Sequence, residues 1–297
     1  MSVLNNKYYV FLISPGRTGT RFLGQKLGNI IKNAYSVHEP DVLTPKKGYK
    51  FLEKLNTFGV YHLVLGKFLG KTGIRNLSQR YVAGKFSKKE LERAIVKHRK
   101  KYYDQIKEDL IIESYSGWYG CIPAIQNLYK NYKIVIISRE PKDWVISNMN
   151  WGTLFGKRDW VSKLGLGRLN PKMINDKEYI NEWKNYSRFG KICWTYKTQY
   201  EIMLQNSKGD PNTKIIKFEN LFDSDSKYET LNELMSFITS FPDIQFDYSI
   251  PSGILDKKVH KNVSYEFPEY ENWDEQYKQT FDKICSQISV KLNYEKV

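Results

Sequence analysis

Disulfides, metal clusters and membrane spans are what this chain lacks the residues to build. Among 297 residues there are three cysteines, Cys121, Cys193 and Cys285. They lie far apart, without metal-ligand spacing, and any pairing leaves one over. No metal is therefore expected, and a reduced compartment is. No apolar run approaches the ~20 residues that cross a bilayer. The first strand begins within eight residues, which leaves no cleavable signal, so a cytoplasmic location is expected. Acidic residues are short as well: 32 Asp+Glu face 47 Lys+Arg, a net charge of +15. That surplus suits a polyanionic cofactor, an anionic acceptor, a membrane surface or nucleic acid, and does not choose among them. No repeat, low-complexity tract or linker divides the chain, so one α/β domain over 1–297 is expected. Hydrophobic content of 41% and aromatic content of 15% supply its core.

What is present is concentrated first in Tyr8–Leu23, YYVFLISPGRTGTRFL. Tyr8 to Ile13 reads as a buried strand, Ser14-Pro15-Gly16 as a turn, and Phe22, Leu23, Leu27, Ile30 and Ile31 as one helical face. A strand, a Gly-containing loop and a helix together aim backbone N–H groups at an anion. Gly16 and Gly19 permit close approach, Thr18 and Thr20 add hydroxyls, and Arg17 and Arg21 add positive charge. The nucleotide-triphosphate loop, G-x-x-x-x-G-K-[ST], does not fit: counted from Gly16, Arg21 falls on the second Gly and Phe22 on the Lys.

Further along, Tyr35-Ser36-Val37 reads as a strand that ends in His38-Glu39-Pro40. Pro40 biases Glu39 to an extended backbone. In a parallel sheet this end lies at the carboxyl edge beside the anion loop, which makes His38 and Glu39 acid/base candidates. Residues 43–86 keep only a loose helical period, with His62 expected to be packed. Ser87 to Glu90 fits a capping box opening a helix over 87–108, with Leu91, Ile95, His98, Tyr102 and Ile106 as its buried stripe and Lys88, Lys89, Arg93, Lys97, Arg99, Lys100 and Lys101 on its basic outer face. Strands are expected at Leu110–Glu113, Lys133–Ser138 and Thr213–Phe218, and helices at 121–131, 177–205, 228–241 and from Trp273. Residues 151–175 show no clean period and read as a mobile loop near the acceptor.

The loop Ser14–Thr20 resembles the 5′-phosphosulfate loop of the sulfotransferases, P-loop-like enzymes that use 3′-phosphoadenosine 5′-phosphosulfate (PAPS). A second segment strengthens the likeness. Arg139-Glu140-Pro141-Lys142-Asp143, with Ser147 eight residues after the Arg, resembles the family's 3′-phosphate site, which implies that role for Arg139 and Ser147. Pro141 suits a helix start and Asp143 its positive end. Glu219-Asn220-Leu221 resembles a late structural turn of the family. Lys257–Ser264 sits where the family has a basic loop over the 3′-phosphate, which implies contacts from Lys261 and Asn262.

The resemblance implies a mainly parallel sheet flanked by helices, and transfer of a sulfuryl group from PAPS to an acceptor hydroxyl, on a glycan or small alcohol first. It is similar to the carbohydrate-modifying and bacterial branches. The donor-binding set is then Pro15, Gly16, Arg17, Thr18, Gly19, Thr20, Arg21, Arg139, Ser147, Lys261 and Asn262, and the catalytic set Arg17, Glu39 and His38. Arg17 keeps its proton and acts as an electrostatic clamp. Glu39 is preferred to His38 as base, because Arg17 nearby would keep its carboxylate ionised. Nucleic acid is not an expected partner; peripheral membrane contact and the oligomeric state stay open. A divergent nucleotide kinase, or a non-catalytic basic protein binding nucleic acid or acidic glycan, are the alternatives.

Overall fold

The first strand, β1 (Tyr8–Ile13), is buried from Tyr9 onward because it has a strand on each side and helices on both faces. In this computed structural model, residue 4 and residues 7–42, 48–157, 159, 168–256 and 265–294 are described. β1 pairs with β3 (Leu110–Ser114) and β4 (Tyr132–Ser138); β2 (Ala34–His38) and β5 (Thr213–Lys217) flank them. The order is β2-β3-β1-β4-β5 and every pairing is parallel. Parallel strands covered on both faces read as continuous apolar runs, which is how β1 and β4 read.

The main helices, in chain order, are α1 (Thr20–Lys26), α2 (Gly48–Phe58), α3 (Ile74–Val82), α4 (Lys88–Asp104) and α5 (Ile122–Leu128). Then come α6 (Pro141–Trp151), α7 (Arg188–Ser207), α8 (Phe218–Phe222), α9 (Lys227–Thr239) and α10 (Glu275–Lys291). Tyr9, Phe11 and Ile13 point into one core layer with Leu91, Ile95, Ile192 and Ile284 of the helices. Val10 and Leu12 point into the other, with Leu23 and Leu27 below α1 and Leu231 and Leu234 of α9. Strand alternation thus feeds both layers.

Along the backbone, the sequence expectations need correction at two points. The helix read over 177–205 is interrupted: a short helix, Lys177–Ile180, precedes α7, which starts afresh with Ser187 accepting a hydrogen bond from the Gly190 N–H. Glu39 is not extended; its φ is +47°. Its N–H donates to the Ser114 carbonyl and its own carbonyl accepts from Val42, so the chain turns inward at once after β2. The draw of Asp41 into the interior outweighs the bias imposed by Pro40. The capping box at Ser87 and Glu90 forms as the spacing predicts. The Lys257–Ser264 loop, with Lys261 and Asn262, lies outside the described residues, as do 158 and 160–167 of the 151–175 segment.

Candidate active site

The five strands of this sheet point their carboxyl ends the same way, so the segments after β1, β2, β3 and β4 meet along one edge. The loop after β1 is held by its own side chains. Ser14 Oγ accepts from the Gly16 N–H at 3.0 Å and from Thr18 Oγ1 at 2.6 Å. The Thr18 hydroxyl, read from sequence as a ligand donor, is thus occupied in shaping the loop. Gly16, Arg17 and Gly19 all adopt positive φ. At Gly19 a Cβ would also lie 2.4 Å from the Phe222 ring, so glycine is required twice over. No side chain caps α1, which leaves its first amides for an anion. Thr20 is buried; Arg21 is exposed, close enough for its charge to reach His38.

The segment after β4 folds onto this loop. Arg17 Nε donates to Ser147 Oγ at 3.1 Å, and Arg139 Nη1 donates to the Arg17 carbonyl at 2.8 Å. The indole of Trp144, one turn into α6, donates to the Gly16 carbonyl at 2.8 Å. Pro141 and Asp143 occupy the first turn of α6. Glu219 ties the segment down, accepting from the Glu140 N–H and the Tyr294 hydroxyl, which makes the Glu-Asn-Leu turn a brace. Among the described residues, neither Arg17 nor Arg139 has a carboxylate ion-pair partner. Burial first, and then the charge of Arg139, lowers the Arg17 pKa below the usual guanidinium value. Arg139 Nε is buried with no hydrogen-bond partner among the described residues. Two unpaired guanidiniums and an unsatisfied donor fit a polyanion.

On the other side, β2 and β3 deliver His38, Glu39, Ser114 and Ser116. His38 Nδ1 lies 3.4 Å from Ser114 Oγ, and burial lowers the imidazole pKa below its ordinary value. The cation beside Glu39 is Arg75 of α3, at 3.7 Å; Arg17 turns to Ser147 instead. Ser116 Oγ donates to Glu39 Oε1 at 3.4 Å. Behind Glu39, Asp41 is fully buried, with His62 Nε2 at 3.0 Å and Arg99 Nη1 at 3.5 Å. Burial opposes its ionisation, but Arg99, His62 and Lys67 overcome that and hold the carboxyl below the usual range. Arg99 also forks onto Glu113 at 2.8–3.2 Å, and Glu113 accepts from Tyr103 and Trp118. His62 is packed, as its spacing suggests, and its Nε2 lies within hydrogen-bond distance of Asp41.

Sequence reasoning missed Trp144, Arg75 and Gly24, and it placed Ser14 in the loop without its bracing role. Gly24 had a signal, a glycine on the buried face of a helix: a Cβ there would sit 2.8 Å from the Ser114 Cβ, so α1 could not lie this close to β3.

No curated protein sequence matches the chain. Similar solved structures include the sulfotransferase domain from the curacin biosynthetic pathway, at 14% identity and TM-score 0.43, covering 98% of this chain and 99% of that one. Another is a sulfotransferase from Alicyclobacillus acidocaldarius, at 13% and 0.43, covering 97% of each chain. A third is the sulfotransferase domain of the Synechococcus PCC 7002 olefin synthase, at 12% and 0.42, covering 98% of this chain and 96% of that one. The model of the sulfotransferase domain family matches residues 8–239, most of the length, and on that match the chain belongs to the sulfotransferase family.

Proposed function

We propose that this chain transfers a sulfuryl group from PAPS to an acceptor hydroxyl, on a glycan or small alcohol, by in-line displacement at sulfur. The observation that carries the proposal is the direct contact between two basic segments distant in sequence. Arg17 reaches Ser147, Arg139 reaches the Arg17 backbone, and neither guanidinium has an acidic partner among the described residues. A donor with phosphates at both its 3′ and 5′ positions calls for two such linked anion sites.

The donor supplies the sulfuryl group and leaves as adenosine 3′,5′-bisphosphate. Gly16 to Thr20 would hold its 5′ end through loop amides, and Arg139 and Ser147 its 3′-phosphate. Arg17 would face the charge that grows on the bridging oxygen, and as a permanent cation it would stabilise that charge without giving up a proton. Glu39, braced by Arg75 and Ser116, takes the acceptor proton; His38 is the second candidate.

The test is incubation of purified protein with PAPS and a panel of sugars, alcohols and amines, read by mass spectrometry. A product heavier by one sulfuryl group, formed with PAPS and not with ATP–Mg²⁺, is expected. A phosphorylated product from ATP–Mg²⁺ would overturn the reading in favour of a kinase.

A further inference from the structure

Between Phe58 and Thr72 the chain exposes what it would ordinarily bury. Val60, Tyr61, Val64, Leu65, Phe68 and Leu69 are 48–63% exposed. They recur in pairs four residues apart along the π-helical turn Tyr61–Leu65 and the helical turn Gly66–Phe68, so they form one stripe. The opposite side is anchored: His62, Leu63 and Gly66 are buried, His62 pairs with Asp41, and Thr72 Oγ1 donates to the His62 carbonyl. Single exposed apolar residues are ordinary, whereas a contiguous stripe marks a contact surface.

The surroundings of the stripe are basic. Lys71 is exposed at its end. α4 abuts the same segment through the edge-to-face rings of His62 and His98, 4.4 Å apart, and carries Lys97 and Lys101 on its exposed face. Lys101 Nζ also donates to the Asn56 carbonyl of α2. Between residues 48 and 103 the acids are Glu53, Glu90 and Glu92 alone, amid many lysines and arginines. An apolar stripe flanked by cations is the pattern that seats in an anionic headgroup layer. A second copy of this chain would set one charge of +15 against another, so charge complementarity favours the lipid surface.

We propose that this stripe is a peripheral docking face that inserts into the surface of an anionic phospholipid bilayer. The docked turn adjoins the site, because His62 and Lys67, on the same segment, hold Asp41 two residues beyond Glu39.

Vesicle flotation tests this without any activity assay. The full chain is floated with phosphatidylcholine vesicles and with vesicles that also contain phosphatidylglycerol, beside the triple variant Val64→Gln/Leu65→Gln/Phe68→Gln. Binding to the anionic vesicles is expected, weakened by salt, and roughly ten- to a hundredfold weaker in the variant. Should the triple variant not fold, Phe68→Ser alone is expected to show the same direction of loss. Equal binding by parent and variant, or no binding by the parent, would overturn the proposal. So would a dimer seen by light scattering that the variant abolishes while vesicles go unbound, since the stripe would then be an interface between copies.

Discussion

Arg17 and Glu39 share a backbone conformation that neither residue type favours, with φ of +59° and +47°. Of the other non-glycine residues at positive φ, Asn33, Asn175 and Asn293 are of the type that tolerates it. Strain of this kind costs about 1–3 kcal/mol per residue and persists where the surroundings enforce it. Here they do: Ser14, Trp144 and Arg139 fix the first loop, and Ser114 and Val42 fix the turn at Glu39. Among the described residues Phe155 is the third such position, with φ of +52°; the other two are the proposed charge clamp and the proposed base. His38 stays a competitor because burial keeps its imidazole neutral, the form that accepts a proton. Glu39→Gln should lower turnover roughly 10²–10⁴-fold with donor affinity unchanged, while His38→Gln keeps most of its turnover. The reverse pattern, measured with the same acceptor, would make His38 the base.

At the scale of elements, the end of β3 and the turn after β2 are pinned to α4 by one buried side chain, Arg99. It holds Glu113 by three hydrogen bonds and Asp41 by a longer contact, with both carboxylates out of water. Removing one partner from such a cluster strands the remaining charges. Arg99→Met should therefore destabilise the fold by about 3–5 kcal/mol, read as a lowered urea midpoint. A change under about 1 kcal/mol would mean that the cluster is solvated. Helical spacing places Arg99 on the basic outer face of α4, whereas the structure buries it, for a definite reason. Arg99 lies 14 residues from Glu113 and 58 from Asp41, and they meet because β2 pairs with β3 and not with β1. Local patterns carry no information on strand order. By contrast, the strand at Tyr8, the capping box at Ser87 and Pro141 opening α6 depend on near neighbours, and were readable. Glu39 misled for the same reason as Arg99: its backbone is set by the distant pull on Asp41 rather than by Pro40.

For the molecule as a whole, the parallel sheet does the assembling. It carries Arg17 and Arg139 to adjacent strand ends, 122 residues apart in sequence and joined by a hydrogen bond. The surplus charge of +15 adds long-range attraction for a polyanionic donor, which should weaken with salt. On the proposed function, Arg139 and Ser147 read a 3′-phosphate while the first loop holds the 5′ end. Calorimetric titration of the parent chain and Arg139→Ala with adenosine 3′,5′-bisphosphate, adenosine 5′-phosphate and ATP–Mg²⁺ tests it most directly. The parent should prefer the bisphosphate. Arg139→Ala should weaken it roughly ten- to a hundredfold, the value of a charge-assisted hydrogen bond of ~1.5–3 kcal/mol, and leave adenosine 5′-phosphate nearly unchanged. Equal weakening of both adenosine ligands, or tighter binding of ATP–Mg²⁺ by the parent, would contradict the account.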